Sequence, residues 1–269
     1  MTKILILGDP HGKLPKNINS IVKQNKIELI IITGDIGKSD LAKKQFLEDI
    51  KRKKQGLSEK IHSKKEVKKA WMEIYNSTIK TLKGLSKLAP VYLIKGNVPA
   101  SSDIEIKKKG QKLGIKLPLF TLNIRKIPNV FYLNNKIKKF HNLRIGGLEY
   151  FIDSSWIKEF KETDIKRILS AKIQTFKAKK ILQKFDKIDI LLCHSPPYKI
   201  LDKVNSSQAP KHWKGKHAGS KVISDYIKKQ QPKYVFCGHI HEGKGKAKIG
   251  KTEVYNVGHE GDYLILDIN

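Results

Sequence analysis

The chain is short of cysteine, arginine and long apolar runs, and each shortage excludes something. Only Cys193 and Cys237 occur among 269 residues, each at the end of an apolar stretch, "LLCHSPP" and "VFCGHIH". A secreted disulfide framework needs more cysteines, set in loops. Each thiol stands beside a histidine, as a metal ligand could. Small apolar residues in neighbouring buried strands are the plainer reading and the one adopted. No apolar segment approaches the roughly 20 residues needed to cross a bilayer. The opening "MTKILILGDPHG" lacks the long apolar region and small-residue cleavage site of a signal peptide, and reads as a first strand. A soluble, cytoplasmic protein with no membrane partner is expected.

Arginine is scarcer than the charge suggests. The formal net charge is +30, with 55 basic residues, of which only Arg52, Arg125, Arg144 and Arg167 are arginines. Such an excess invites a polyanionic partner. Guanidinium, the usual group for bidentate readout of phosphate and guanine, is nearly absent. The lysines are scattered over "KRKK", "KKEVKK", "KIQTFKAKK" and "IKKQQPK" instead of forming one stripe. A compositional bias or adaptation to heat explains them about as well. Nucleic acid therefore stays open as a partner, on lysine content alone.

What is present is a regular order. Apolar runs occur at "KILILGD", "ELIIITGD", "VYLIKGN", "IDILLCHSPP" and "KYVFCGHIH", with helical spacing between them at about 15–25, 40–54, 58–88, 161–185 and 220–230. Strands buried on both faces read as continuous apolar runs, and helical crossovers imply a largely parallel sheet. Ser220 before "KVISDYIKK" is a good N-cap, and Gly84 marks a candidate break in the long third helix. Around 130–149 the pattern changes to short strands with an Asn-Asn turn, which suggests antiparallel hairpins; the tail from 244 does the same. Two mixed β-sheets packed face to face, with helices outside, fit this order. No repeat and no long linker interrupts it, so one domain over 1–269 is expected.

Polar residues gather where the apolar runs stop. They are Asp9 and His11 in "GDPHG", Asp35 in "TGDIG", Asn97 in "KGNVPA", His194 in "CHSPP", and His239 and His241 in "CGHIHEG". Open α/β sheets place their sites beyond the carboxyl ends of strands. Three carboxylate or amide oxygens and four imidazoles are too many for one tetrahedral zinc site, but suit two ions of higher coordination that share a carboxylate. Each motif alone is weak; five in this order are not.

The series "GDPHG", "GDIG", "GN", "CHSPP", "GHIHEG" resembles the calcineurin-like metallophosphoesterases, over positions 8 to about 258. The resemblance implies an α/β fold, a four-layer α/β/β/α sandwich of two mixed β-sheets. It also implies two divalent metal ions, commonly manganese, with iron, zinc or nickel as the alternatives. By similarity Asp9, His11, Asp35 and His241 would hold the first ion. Asp35 (shared), Asn97, His194 and His239 would hold the second. The implied activity is hydrolysis of phosphate mono- or diesters by a metal-bridging hydroxide, acting on a small molecule.

One departure stands out. Relatives usually carry histidine directly after the asparagine, though some branches lack it, and this chain has Val98 and Pro99 there. Acid assistance of that kind is typically worth about 10²–10⁴-fold, so good leaving groups should fare relatively better. The long loop "SPPYKILDKVNSSQAPKHWKGKHAGSK" offers a substitute in His217, from a "HAGSK" stretch found in small prokaryotic members; Ser220 would set a helix N-terminus beside bound phosphate. Tyr198, His212 and Trp213 share that loop. His62, His141 and His259 are read as ordinary structural residues. Two alternatives remain: a nuclease or nucleic-acid phosphatase using the same site, and a metal-binding scaffold without catalysis.

Overall fold

β1 (Thr2–Leu7) sends Ile4 and Ile6 to one hydrophobic cluster and Leu5 and Leu7 to another. A strand with apolar residues at every position needs cover on both faces. β2 (Leu29–Ile32) divides its side chains in the same way, Leu29 and Ile31 joining the first cluster, Ile30 and Ile32 the second. The computed structural model describes residues 1–58, 60–99, 101–207 and 209–268.

The first sheet runs β11-β1-β2-β3-β4, with β3 (Val91–Leu93) and β4 (Val130–Tyr132) parallel to β1 and β2. β11 (Tyr263–Ile268) is antiparallel to β1, pairing Thr2 with Ile268 and Leu7 with Tyr263. The second sheet runs β5-β6-β7-β8-β10-β9. Its β6 (Leu143–Leu148), β7 (Ile190–Cys193), β8 (Tyr234–Cys237) and β10 (Thr252–Asn256) are parallel, while β5 (Ile137–Phe140) and β9 (Gly245–Ile249) are antiparallel edges.

Between the sheets, Ile4, Ile31 and Tyr92 meet Ile145, Leu192 and Phe236. Outside the first sheet lie α1 (Ile18–Gln24), α3 (Lys64–Leu85) and α5 (Phe120–Ile124), through Val22, Trp71, Leu82 and Phe120. Outside the second lie α7 (Ile165–Gln183) and α8 (Lys221–Gln230), through Ala178, Leu182, Ile223 and Ile227. α2 (Asp40–Lys54) packs on α3, and α6 (Ser154–Glu159) on α7. The expected four-layer α/β/β/α sandwich of two mixed sheets is what the chain forms.

Local chemistry sets the helix ends. In α3, Ser63 and Glu66 form a capping box, and the helix runs through Gly84 to stop one residue later, so the glycine lies in the last turn. α4 (Asp103–Leu113) carries the same box in Ser102 and Glu105. Ser220 caps α8 as expected, accepting Ile223 N–H at 3.2 Å. The Asn-Asn turn corrects the expectation of a hairpin there. Asn134 and Asn135 are left-handed, with φ 44° and 62°, but they carry the chain from β4 in one sheet to β5 in the other. The β5–β6 hairpin turns at His141 and Asn142 instead.

Cys193 and Cys237 are free and buried in the layer under α7 and α8, and burial pushes both thiols up from their ordinary pKa. Among the described residues no helix is long and apolar enough to cross a membrane.

Candidate metal centre

Five strands, three from one sheet and two from the other, end at the same crevice: β1 before Asp9, β2 before Asp35, β3 before Asn97, β7 before His194 and β8 before His239. The loops after β1 and β2 are lashed together, since His11 N–H donates to Asp35 C=O and Gly12 N–H to Ile36 C=O, each at 2.8 Å. His11, Asp35 and His239 are left-handed, with φ 45°, 41° and 64°. Such backbone costs about 1–3 kcal/mol per residue and persists where the surroundings over-determine it. Two glycines show how closely: a Cβ on Gly96 would run into Asp35 Oδ1, and one on Gly238 into the Asp9 carboxylate.

Asp9 is fully buried. Thr33 Oγ1–H donates to its Oδ1 at 2.7 Å and His239 N–H to its Oδ2 at 2.6 Å, while His241 Nε2 stands 3.4 Å from Oδ2. Asp35 Oδ1 accepts Val98 N–H at 2.7 Å; its Oδ2 lies 3.6 Å from His194 Nε2 and 3.9 Å from His11 Nε2. Ligand atoms of Asp9, His11 and His241 fall within 4.8 Å of one another, as do those of Asp9, Asp35 and His194. Asp9 belongs to both groups; Asp35 belongs to the second and approaches the first through His11. Asn97 joins through Oδ1, 2.7 Å from His194 Nε2, and the His239 ring sits 4.9 Å from that of His194.

Burial opposes charge throughout. It pushes the Asp35 carboxyl up to about 6, aided by the nearby Asp9 charge against the pull of His194 and of the Val98 N–H. Asp9 resists the same burial, because His194 and hydrogen bonds from His241, Thr33 and His239 outweigh it and hold its carboxyl below the usual range. Burial lowers His11 to about 4 and His239 to about 3, which keeps both imidazoles neutral at pH 7. His194 is also opposed by burial, but lies between Asp35 and Asp9 and is raised.

The donor set fits divalent cations on its own chemistry. His194 Nδ1–H donates to Thr33 C=O at 3.1 Å, which leaves Nε2, 2.7 Å from Asn97 Oδ1, as the ring nitrogen that faces the crevice. His11 Nε2 is buried with no hydrogen-bond partner. Imidazoles, an amide oxygen and two carboxylates around one crevice are the nitrogen and oxygen ligands that first-row divalent ions take.

The family model for calcineurin-like phosphoesterases matches residues 2–243. The chain belongs to that family. One solved structure superposes with a TM-score of 0.62 at 16% identity, over 98% of this chain and 94% of its own. At that identity it bears on the fold. TT1561 of Thermus thermophilus aligns over 96% and 90% with a TM-score of 0.47 and 14% identity, too distant to add to it. No curated protein matches the chain significantly. Membership implies a phosphoric-ester hydrolase, and the two ligand groups suit divalent-metal binding.

Relative to the calcineurin-like pattern, Val98 offers no imidazole; its N–H serves Asp35. The His217 ring packs on Tyr198, with centroids 5.7 Å apart. The segment 218–220 lines a small cavity with His239, Tyr150 and Trp156. His217 Nδ1–H donates to Asp202 Oδ1 at 2.7 Å; the other Asp202 oxygen accepts Lys199 N–H and Gly219 N–H. The helix beside it corrects one expectation. At the N-terminus of α8, Asp153 Oδ2 already accepts Val222 N–H at 3.0 Å and Ser220 Oγ–H at 2.6 Å. Ile223 N–H goes to Ser220 Oγ and Lys221 N–H to Ser155 Oγ. A carboxylate of the chain itself occupies the seat expected for phosphate.

Two residues at the cluster escaped the sequence reading. His259, set aside as structural, stacks face to face on His241 at 4.1 Å, with Asp9 and His259 bridged through their backbones. Its place just past β10 in "NVGHEGD" was the available clue. Tyr150 contacts the rings of His194 and His239 at 5.6 and 5.1 Å, and nothing in its sequence neighbourhood announced it. His62 and His141 pair with Asp49 and Glu28 at 3.9 and 3.7 Å, as ordinary residues do.

Proposed function

We propose that the chain is a metal-dependent phosphoesterase of small phosphate mono- or diesters. Asp9, His11, Asp35 and His241 would hold one divalent ion, and Asp35, Asn97, His194 and His239 a second. Manganese is the first choice, with iron, zinc or nickel as the others. The single observation that carries the reading is the convergence of ligand atoms at the crevice: two groups built on the buried Asp9 and Asp35 with His11, His194 and His241, with His11 Nε2 buried and without a hydrogen-bond partner. When bound, the ions supply Lewis-acid charge for the phosphoryl group and acidify water.

The chain's own residues do the positioning. Thr33 fixes His194 in the tautomer that frees Nε2, and it anchors Asp9 through its hydroxyl. Asp202 orients His217 with Nε2 available to the phosphate or the leaving oxygen. With valine at 98, substrates whose leaving groups need no proton are preferred. The domain is proposed as a single unit over 1–269.

The test is a panel of aryl phosphate monoesters and diesters, assayed with protein stripped of metal and reloaded with Mn²⁺, its metal content measured. Turnover at about two ions per chain is expected. Folded, metal-loaded protein that turns over none of them would overturn the enzyme and leave the scaffold, a reading that Val98 favours. A nucleic-acid substrate draws no support from the family match.

A further inference from the structure

α7 is apolar on two sides. One side buries Ala171, Thr175, Ala178 and Leu182 against the second sheet and α8. The other leaves Ile165, Leu169, Ile173 and Phe176 exposed, at 72%, 54%, 55% and 58%. Steps of four, four and three residues place these on one continuous stripe of a helix with 3.6 residues per turn. An apolar stripe with a filled core behind it is a surface feature, not a gap in packing.

Charge identifies its occupant. "IKRILSAKIQTFKAKKILQ" contains five lysines and one arginine and no acidic residue. At 100° per residue, Lys172 and Lys179 fall on one flank of the stripe and Lys166 and Lys177 on the other. Lys180 lies within it, its Nζ 4.5 Å over the Phe176 ring, while Arg167 is held by Glu162 at 2.6 Å. Lysines on both shoulders of an apolar stripe can cover apolar surface with their stems and keep their ammonium groups at a negatively charged boundary. They act as point charges suited to a diffuse anionic plane, not to bidentate readout. A second copy would set lysine against lysine. α2 is the contrast: Phe46 and Leu47 are exposed there too, but as one adjacent pair followed directly by Glu48 and Asp49, in a helix that mixes its basic residues with three acids.

We propose that the exposed face of α7 docks on an anionic lipid surface, with the helix lying in the plane of the headgroups. The absence of a spanning helix does not bear on this, because lying on a membrane and crossing it need different sequences. The proposal departs from the expectation of no membrane partner, which was drawn from missing long apolar runs.

The experiment is flotation of the full chain with vesicles of phosphatidylcholine alone and of phosphatidylcholine with phosphatidylglycerol, at about 0.15 M salt, where bare surface charge is screened within about 8 Å. A triple variant, Leu169→Gln, Ile173→Gln and Phe176→Gln, keeps every charge. Wild type should float with the anionic vesicles only, and the triple variant should lose about tenfold or more in binding. Phe46→Gln with Leu47→Gln should bind as wild type. Phe176→Trp, which removes little apolar surface, should shift its emission to the blue on anionic vesicles and keeps the test open if the triple variant does not fold. Equal binding by wild type and a folded triple variant would overturn the proposal in favour of charge alone. So would an unshifted emission from the Phe176→Trp variant, a dimer in solution that the triple variant abolishes, or capture by an acidic protein without vesicle binding.

Discussion

The strand tips and the loop facing them line the same crevice on different terms. At the tips, Asp9, Asp35 and His194 are buried, each holding several partners, and three residues accept left-handed backbone to keep their place. Among its described residues, the loop from 196 to 219 is mostly half-buried or exposed. Asp202 gathers His217, Lys199 and Gly219; Glu242 takes the N–H groups of Asn205 and Ser206; Trp213 packs on Trp156 and Phe160. The tips form a floor and the loop a wall. On the proposed reading the floor would set the reaction and the wall would select the ester.

Three substitutions break or sharpen that contrast. Asp35→Asn should have the largest effect, because the amide removes charge from the centre of the floor. Turnover should fall about 10³-fold, and bound metal, measured by elemental analysis, should fall with it. Retained activity would show that the floor is not the site. Asp202→Asn should release the His217 imidazole and cost about 10–100-fold in kcat on esters with poor leaving groups. Metal content and turnover of good leaving groups should barely change. If metal is lost as well, wall and floor are not separable.

The smallest effect is beneath the floor. Glu149 accepts Lys95 N–H at 3.1 Å, and burial pushes its carboxyl up to about 7 from 4.5. Between those values the folded chain holds a proton that the unfolded chain has released, so this group lowers stability as pH rises through that window. Glu149→Gln cannot titrate. Its melting temperature should follow a flatter profile from about pH 4.5 to 7 and exceed wild type above it, by a few degrees at most. An unchanged profile would show that Glu149 titrates normally.

The floor was legible and the wall was not. Asp9, Asp35, Asn97, His194 and His239 each follow an apolar run that is continuous because its strand is covered on both faces, so run and ligand announce each other. Asp153 gave no such notice. Its partner Ser220 is remote in sequence, and only the packing of α6 beside α8 seats that carboxylate on the helix end. Asn134 and Asn135 have the chemistry of a tight turn, which fixes φ but not which sheet receives the next strand. α4 went unread although Ser102 and Glu105 spell its capping box, because "DIEIKKKGQKL" buries only Ile106 and Gly110 and so shows little periodicity.

Asp153 also bears on how the reaction would end. With Asp153 already seated on the first turn of α8, that helix end offers orthophosphate no cradle of amides, and on the proposed reading its retention would rest chiefly on bound cations. Product inhibition should therefore rise and fall with metal loading, and an apo protein should be indifferent to phosphate.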